Sequence, residues 1–273
     1  MKWYRKVLAG AALVLLVAPL WAAPPKKPKV APFDVAGTTA ELSSGDEARV
    51  IAALGRAKAA GKAAGEVAPV IDRMLQRGLP ISLAKAALAT DGELGQPASV
   101  AAVLPYARHR DVEVRRAAAA ALTKLGGAAA ITALRGALSD SDARVRGAAA
   151  SGLGALGARD AVGDLSAALD RKVLEAASAL GQLCTDASCD AFEARLGKTP
   201  FDVMTSGFDA ILFRSDVSDA HKIKLVIQVR DVGTADANKY LRDVQSRWSG
   251  SAAVKAALEA AVSATRSSPG GSP

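Results

Sequence analysis

The chain has 273 residues, of which half are hydrophobic and only 4% aromatic, with a formal charge of +8. Alanine, the best helix former and the least bulky apolar side chain, dominates, so closely packed helices are favoured and a sheet-built core is disfavoured. Six cations (Lys2, Arg5, Lys6, Lys26, Lys27 and Lys29) crowd the start. Without them the remaining charge is only +2, which argues against a nucleic-acid partner, because neutralising phosphates demands a far more basic surface.

The first segment, MKWYRKVLAGAALVLLVAPLWAA, has a basic start, an apolar run from Val7 to Val17, then Pro19 and small residues. This is the plan of a secretory signal over 1–22, cut after Ala22 or Ala23. The apolar run falls short of the roughly 20 residues that a membrane helix needs. An uncleaved anchor is the alternative. No cysteine follows the cut, so a lipid anchor is not indicated, and the expected location is periplasmic or secreted. PPKKPKVAP (24–32) cannot build a core, and a leader without regular structure is expected over 23–43. It reads as a solvated spacer, or as a weak contact with an anionic envelope surface. A short polar tail is expected over 266–273.

Between these ends the sequence repeats. DVEVRRAAAAALTKLGGAAAITAL (111–134) and DARVRGAAASGLGALGARDAVGDL (142–165) align at an offset of 31, matching Asp111 with Asp142, Arg115 with Arg146, and Gly126 with Gly157. A fixed period near 30 signals stacked repeats. Within each copy the Asp caps a helix, and the Arg four residues on can pair with it. Val, Ala and Leu recur on one face, and the Gly ends the helix in a left-handed conformation. A shorter apolar helix follows. Residues 44–75 and 80–107 read as two further helix pairs, the second with Leu94-Gly95 in the terminator position. Leu180 and Leu183 come 27 rather than 31 residues after Leu153 and Leu156, as if a loop had lost four. Beyond 200 the pattern loosens into a helix, a Gly turn and a helix over 219–248, and a closing helix over 251–265.

The pattern D…VR.AAA..L..LG…A…L resembles HEAT repeats, in particular the short bacterial kind first associated with bilin lyases. The resemblance implies an all-α, right-handed α-solenoid of stacked antiparallel helix pairs over 44–265, about six to seven pairs in all. It also implies that the second helices line a concave, partner-binding side. Arg108, His109, Arg135 and Arg159, on second helices and their turns, become the candidate partner-binding residues.

Gly152-Leu153-Gly154-Ala155-Leu156-Gly157 is a literal GxGxxG, but a dinucleotide fingerprint follows a strand and opens a helix. Here the preceding ARVRGAAA reads as helix. Gly157 is the terminator, and Gly152 and Gly154 are expected to let helices pack closely. Cys184 and Cys189 suggest a local disulfide across a turn, with a longer loop there to the second helix. No motif calls for a catalytic residue, a cofactor or a metal, and His109 and His221 have no ligand spacing. The carboxylates of DSD (140–142) and SDVSD (215–219) are expected to cap helices. The aromatic residues of the last third suggest a bulkier core and cap. The expected function is a non-catalytic scaffold for a protein partner. The alternatives are an envelope-attachment protein and, through the resemblance, a bilin-lyase-like enzyme.

Overall fold

The computed structural model describes residues 32–266. The signal, most of the leader and the C-terminal tail lie outside the described residues. Among the described residues every regular element is a helix: α1 (Val35–Leu42), α2 (Glu47–Ala57), α3 (Ala64–Gln76), α4 (Ile81–Leu94), α5 (Val100–Val103), α6 (Val112–Leu125), α7 (Gly127–Ala137), α8 (Ala143–Ala155), α9 (Val162–Asp170), α10 (Ala176–Leu183), α11 (Asp186–Glu193), α12 (Phe201–Phe213), α13 (Asp219–Asp231), α14 (Ala235–Arg247) and α15 (Ala252–Arg266). A 3-10 turn, Leu104–Arg108, prolongs α5.

The local signals hold. Asp111 and Asp142 accept backbone N–H groups of Val114 and Arg144 at 3.1 and 2.9 Å, capping α6 and α8. Gly95, Gly126 and Gly157 take φ of +62°, +70° and +66° at helix ends, where a side chain would be strained. The GxGxxG segment is not a strand-to-helix turn. Gly152 and Gly154 lie inside α8, and Gly157 follows its end.

The helices form an all-α solenoid of two rows. In the first row α2, α4, α6, α8, α10, α12 and α14 pack in succession. In the second row α1, α3 and α5 pack together, α7 lies against the 3-10 turn after α5, and α13 packs on α15. Ion pairs connect the second row's middle: Arg135 of α7 to Asp164 of α9 at 2.5 Å, Arg195 after α11 to Asp170 of α9 at 3.2 Å, and Lys224 of α13 to Asp190 of α11 at 2.7 Å. Seven helix pairs thus follow α1. Leu54, Ile71, Leu88, Leu122, Leu153 and Leu180 are among the fully buried side chains of the continuous apolar seam.

Small residues close the first row. A Cβ on Gly92 would lie 3.1 Å from the Ala121 Cα, and one on Gly154 would lie 3.1 Å from the Ala179 Cα. Gly152 abuts Thr123, and Gly181 meets the Gly207 backbone directly. Glycine costs helix stability, about 1 kcal/mol each, and is retained here at positions where neighbouring axes come close. The second row has fewer such contacts and opens into grooves.

Four expectations are corrected. The leader does not extend to 43, because Asp34 caps a helix that begins at Val35. The shortened repeat has lost helix rather than loop. Five residues precede both α8 and α10, but α10 has 8 residues against 13 in α8. The cysteine turn is not longer, since only Cys184 and Thr185 separate α10 from α11. Second helices are shorter than first helices in the central pairs but not throughout, as α3 has 13 residues and α2 has 11.

Candidate docking grooves between the second helices

A groove of about 730 Å³ runs between the α5 turn and α7. Ala101, Leu104 and Pro105 form one wall, Ala129, Thr132 and Ala133 the other. At its end Arg115 grips Asp140 with two hydrogen bonds of 2.7 and 2.8 Å. The Arg115 guanidinium holds the Asp140 carboxyl below the usual carboxylate range. A second groove of about 310 Å³ lies between the end of α3 and the α5 turn, walled by Leu75, Leu79, Pro105 and Tyr106. A third, about 420 Å³, separates the α9–α10 turn from the α11–α12 turn. Apolar walls with few polar groups suit binding of extended chain or side chains.

The four candidate partner-binding residues do not converge. Arg108 lines the large groove with an exposed side chain that pairs with no acid. His109 is committed to the fold: it stacks on Tyr106 at 6.1 Å, and its Nδ1 accepts the Asp111 N–H at 3.0 Å. Arg135 pairs with Asp164, and Arg159 with Asp216 at 3.1 Å, so both join repeats. Arg214 is the stronger partner of Asp216 and pulls its pKa to about 2.

The repeat arginines also depart from expectation. Arg115 does not pair with its own cap Asp111. It reaches Asp140 and donates to the carbonyls of His109 and Arg110 at 3.0 and 3.2 Å. Arg146 does the equivalent one repeat later, donating to the carbonyls of Asp140 and Ser141 at 2.9 and 3.0 Å. Each arginine therefore pins the turn that enters its own repeat. In DSD only Asp142 is the cap, while Asp140 serves Arg115. In SDVSD the cap is Ser218, which accepts the His221 N–H at 3.2 Å.

Cys184 and Cys189 are bonded, joining the end of α10 to the second turn of α11. Two buried ionisable clusters went unforeseen, because their members are distant in sequence. Glu193 Oε1 lies 2.7 Å from His221 Nε2, with Asp190 Oδ1 3.6 Å from His221 Nδ1. Burial raises the Glu193 pKa. Asp91 is fully buried beside Asp72 and Ser99, and burial, then the Asp72 charge, raise its pKa to about 8. No helix of the described residues is long and apolar enough to cross a membrane.

Several solved structures are similar to the chain at low identity. The complex of CpcE and CpcF of phycocyanin lyase from Nostoc sp. PCC7120 is 20% identical, covers 91% of this chain and 99% of that chain, and has a TM-score of 0.48. The designed armadillo repeat protein YIII(Dq)4CqI is 17% identical, with coverages of 85% and 100% and a TM-score of 0.42. Human deoxyhypusine hydroxylase in complex with glycerol is 16% identical, with coverages of 85% and 84% and a TM-score of 0.30. No curated protein sequence matches the chain. The family model for HEAT repeats matches residues 67–154, and that for the PBS lyase HEAT-like repeat matches residues 145–171. Residues 67–171, which include the large groove and both best-matched repeats, are thus the part of the chain that is similar to HEAT-repeat families.

Proposed function

We propose that the chain is an exported, non-catalytic scaffold that holds a segment of a partner protein in the grooves between its second-row helices. The observation that supports this most is the contrast between the rows. The first is sealed by glycine contacts, while the second keeps an open, mostly apolar groove of about 730 Å³ rimmed by the unpaired Arg108. Export rests on the signal-like first 22 residues and suits the Cys184–Cys189 bond, since disulfides persist in oxidising compartments.

Photo-crosslinker placed at Ala133, within the groove, is expected to capture a protein from the envelope fraction, while the same group at Lys85 of α4 captures none. Equal capture at both positions, or none at either, overturns the reading. Mass spectrometry of the secreted chain is expected to give an N-terminus at Ala23 or Pro24; an intact Met1 overturns cleavage.

A bilin-lyase-like reading is favoured by one observation, the PBS lyase HEAT-like match over 145–171. It requires the absorbance of an added bilin to change on mixing, whereas the scaffold reading expects an unchanged spectrum.

A further inference from the structure

Every second-row helix runs in the same direction, so the turns leading out of them lie along one edge of the stack. That edge is basic on either side of the turn after α7, which itself carries Ser139, Asp140 and Asp142 and no cation. Arg77 and Arg108 are 31 residues apart, and Arg171 and Lys198 are 27 apart, the spacing of the shortened repeat. Arg110 and Lys172 stand beside them. All six side chains are exposed, and none pairs with an acid. Elsewhere the cations facing neighbouring repeats are mostly paired, as Lys124 with Glu93 and Arg135 with Asp164. The acids along the edge are largely occupied: Asp111 caps α6, Asp140 holds Arg115, and Asp170 holds Arg195. Asp202, at the start of α12, faces the third groove as an opposing charge.

Helix C-termini attract cations, and this accounts for some of the series. Lys172, two residues past the end of α9, differs from the others in its backbone. Its φ is +68°, the only positive value of a non-glycine residue among those described. The corresponding turns elsewhere use Gly78, Gly197 and Gly233. Lysine carries a strain in this conformation that glycine does not. Next to it Leu174 is 49% exposed, over the third groove. The three grooves open beside this edge, so apolar recesses alternate with cations.

We propose that this edge binds an extended acidic segment of the partner, with apolar side chains seated between its carboxylates. The inference rests on the scaffold reading. Neighbouring helices lie about 8–10 Å apart, and a chain in the polyproline II conformation advances about 3.1 Å per residue and returns every third side chain to the same face, so the fitting segment carries a carboxylate roughly every third residue. Apolar recesses favour a peptide over a nucleic acid or a lipid surface, whose phosphates would leave them empty.

Fluorescence anisotropy on the full mature chain tests this, using a labelled (Glu-Val-Thr)₄ peptide against its Gln and Lys counterparts, a 15-nucleotide single-stranded DNA and anionic phosphatidylglycerol vesicles. The Glu peptide is expected to bind at least tenfold tighter than the Gln peptide and to weaken severalfold between 50 and 200 mM salt. Reversing Arg108, Lys172 and Lys198 to Glu together is expected to cost at least tenfold. Lys85→Glu in the first row changes affinity less than twofold, with circular dichroism checking that both variants fold. Equal binding of the Gln peptide, tighter binding of DNA or vesicles, or no binding of the Glu peptide overturns the proposal. An Ala133 crosslink to a segment without acids also overturns it while leaving the scaffold reading intact; absence of any crosslink fails the scaffold reading itself.

Discussion

Gly181 and Gly207 touch through their backbones, so no side chain can yield to an added methyl. Gly181→Ala is expected to cost about 3 kcal/mol by urea denaturation, at the severe end of overpacking. Gly154 is crowded in a milder way, because a Cβ there would sit 3.1 Å from the Ala179 Cα. The gain in helix propensity, about 1 kcal/mol, offsets part of that crowding, so Gly154→Ala should cost less than Gly181→Ala. Arg115 and Asp140 are each only about one-tenth exposed, and either alone is left without its charged partner. Arg115→Ala is expected to destabilise by about 2–3 kcal/mol, and a double-mutant cycle with Asp140→Ala should show the two losses overlapping. Asp91 adds a pH signature. Its folded pKa near 8 exceeds the ordinary 3.8, so between those values the folded chain holds a proton that the unfolded chain has released. Stability therefore falls as pH rises from about 4 to about 8, by at most about 1.4 kcal/mol per unit. Asp91→Asn is expected to flatten that slope, as measured by denaturation at pH 5 and pH 8; an unchanged slope would place the proton elsewhere.

At the scale of the helix, the legible signals were short-range ones. Asp111, Asp142, Gly126 and Gly157 act on backbone within a few residues, and their chemistry is readable without knowing the fold. The partner of Arg115 was not legible. Asp140 lies 25 residues away, whereas Asp111 sat at the familiar four-residue spacing. Glu193 and His221 are 28 residues apart and meet only because α11 and α13 are neighbours in the second row. Leu153, fully buried at the α8 seam, carries the central register. Leu153→Asp is expected to unfold the stack, since burying that side chain is worth about 1.5–3 kcal/mol before the cost of enclosing a charge. Retention of native helicity by circular dichroism would contradict the register. The disulfide closes a small loop, so Cys184→Ser with Cys189→Ser is expected to lower stability by only about 2 kcal/mol and to leave the fold intact.

For the molecule as a whole, the 31-residue period was enough to foresee a helical stack, because each hairpin has a stripe that only its neighbours can cover. The docking edge was less legible. Periodicity places Arg77, Arg108, Arg171 and Lys198 in line, but only three-dimensional pairing separates them from Arg135 and Arg159, which are consumed in joining repeats. The last third completes the stack with larger side chains. Phe192 and Phe208 are fully buried at 5.7 Å, and Tyr240 of α14 packs on Phe208 at 6.3 Å.

The two rows also differ in what holds them. One is meshed through methyls and bare backbone, to which exposed pairs such as Lys124–Glu93 and Arg144–Glu113 are only added. The other is bridged over its middle by single exposed charge contacts, which screening weakens. The expected consequence is a strip stiffer along the margin packed by bare backbone and more compliant along the one bridged by charges. A guest that threads the compliant margin would set the curvature, and ionic strength would tune how far the folds gape.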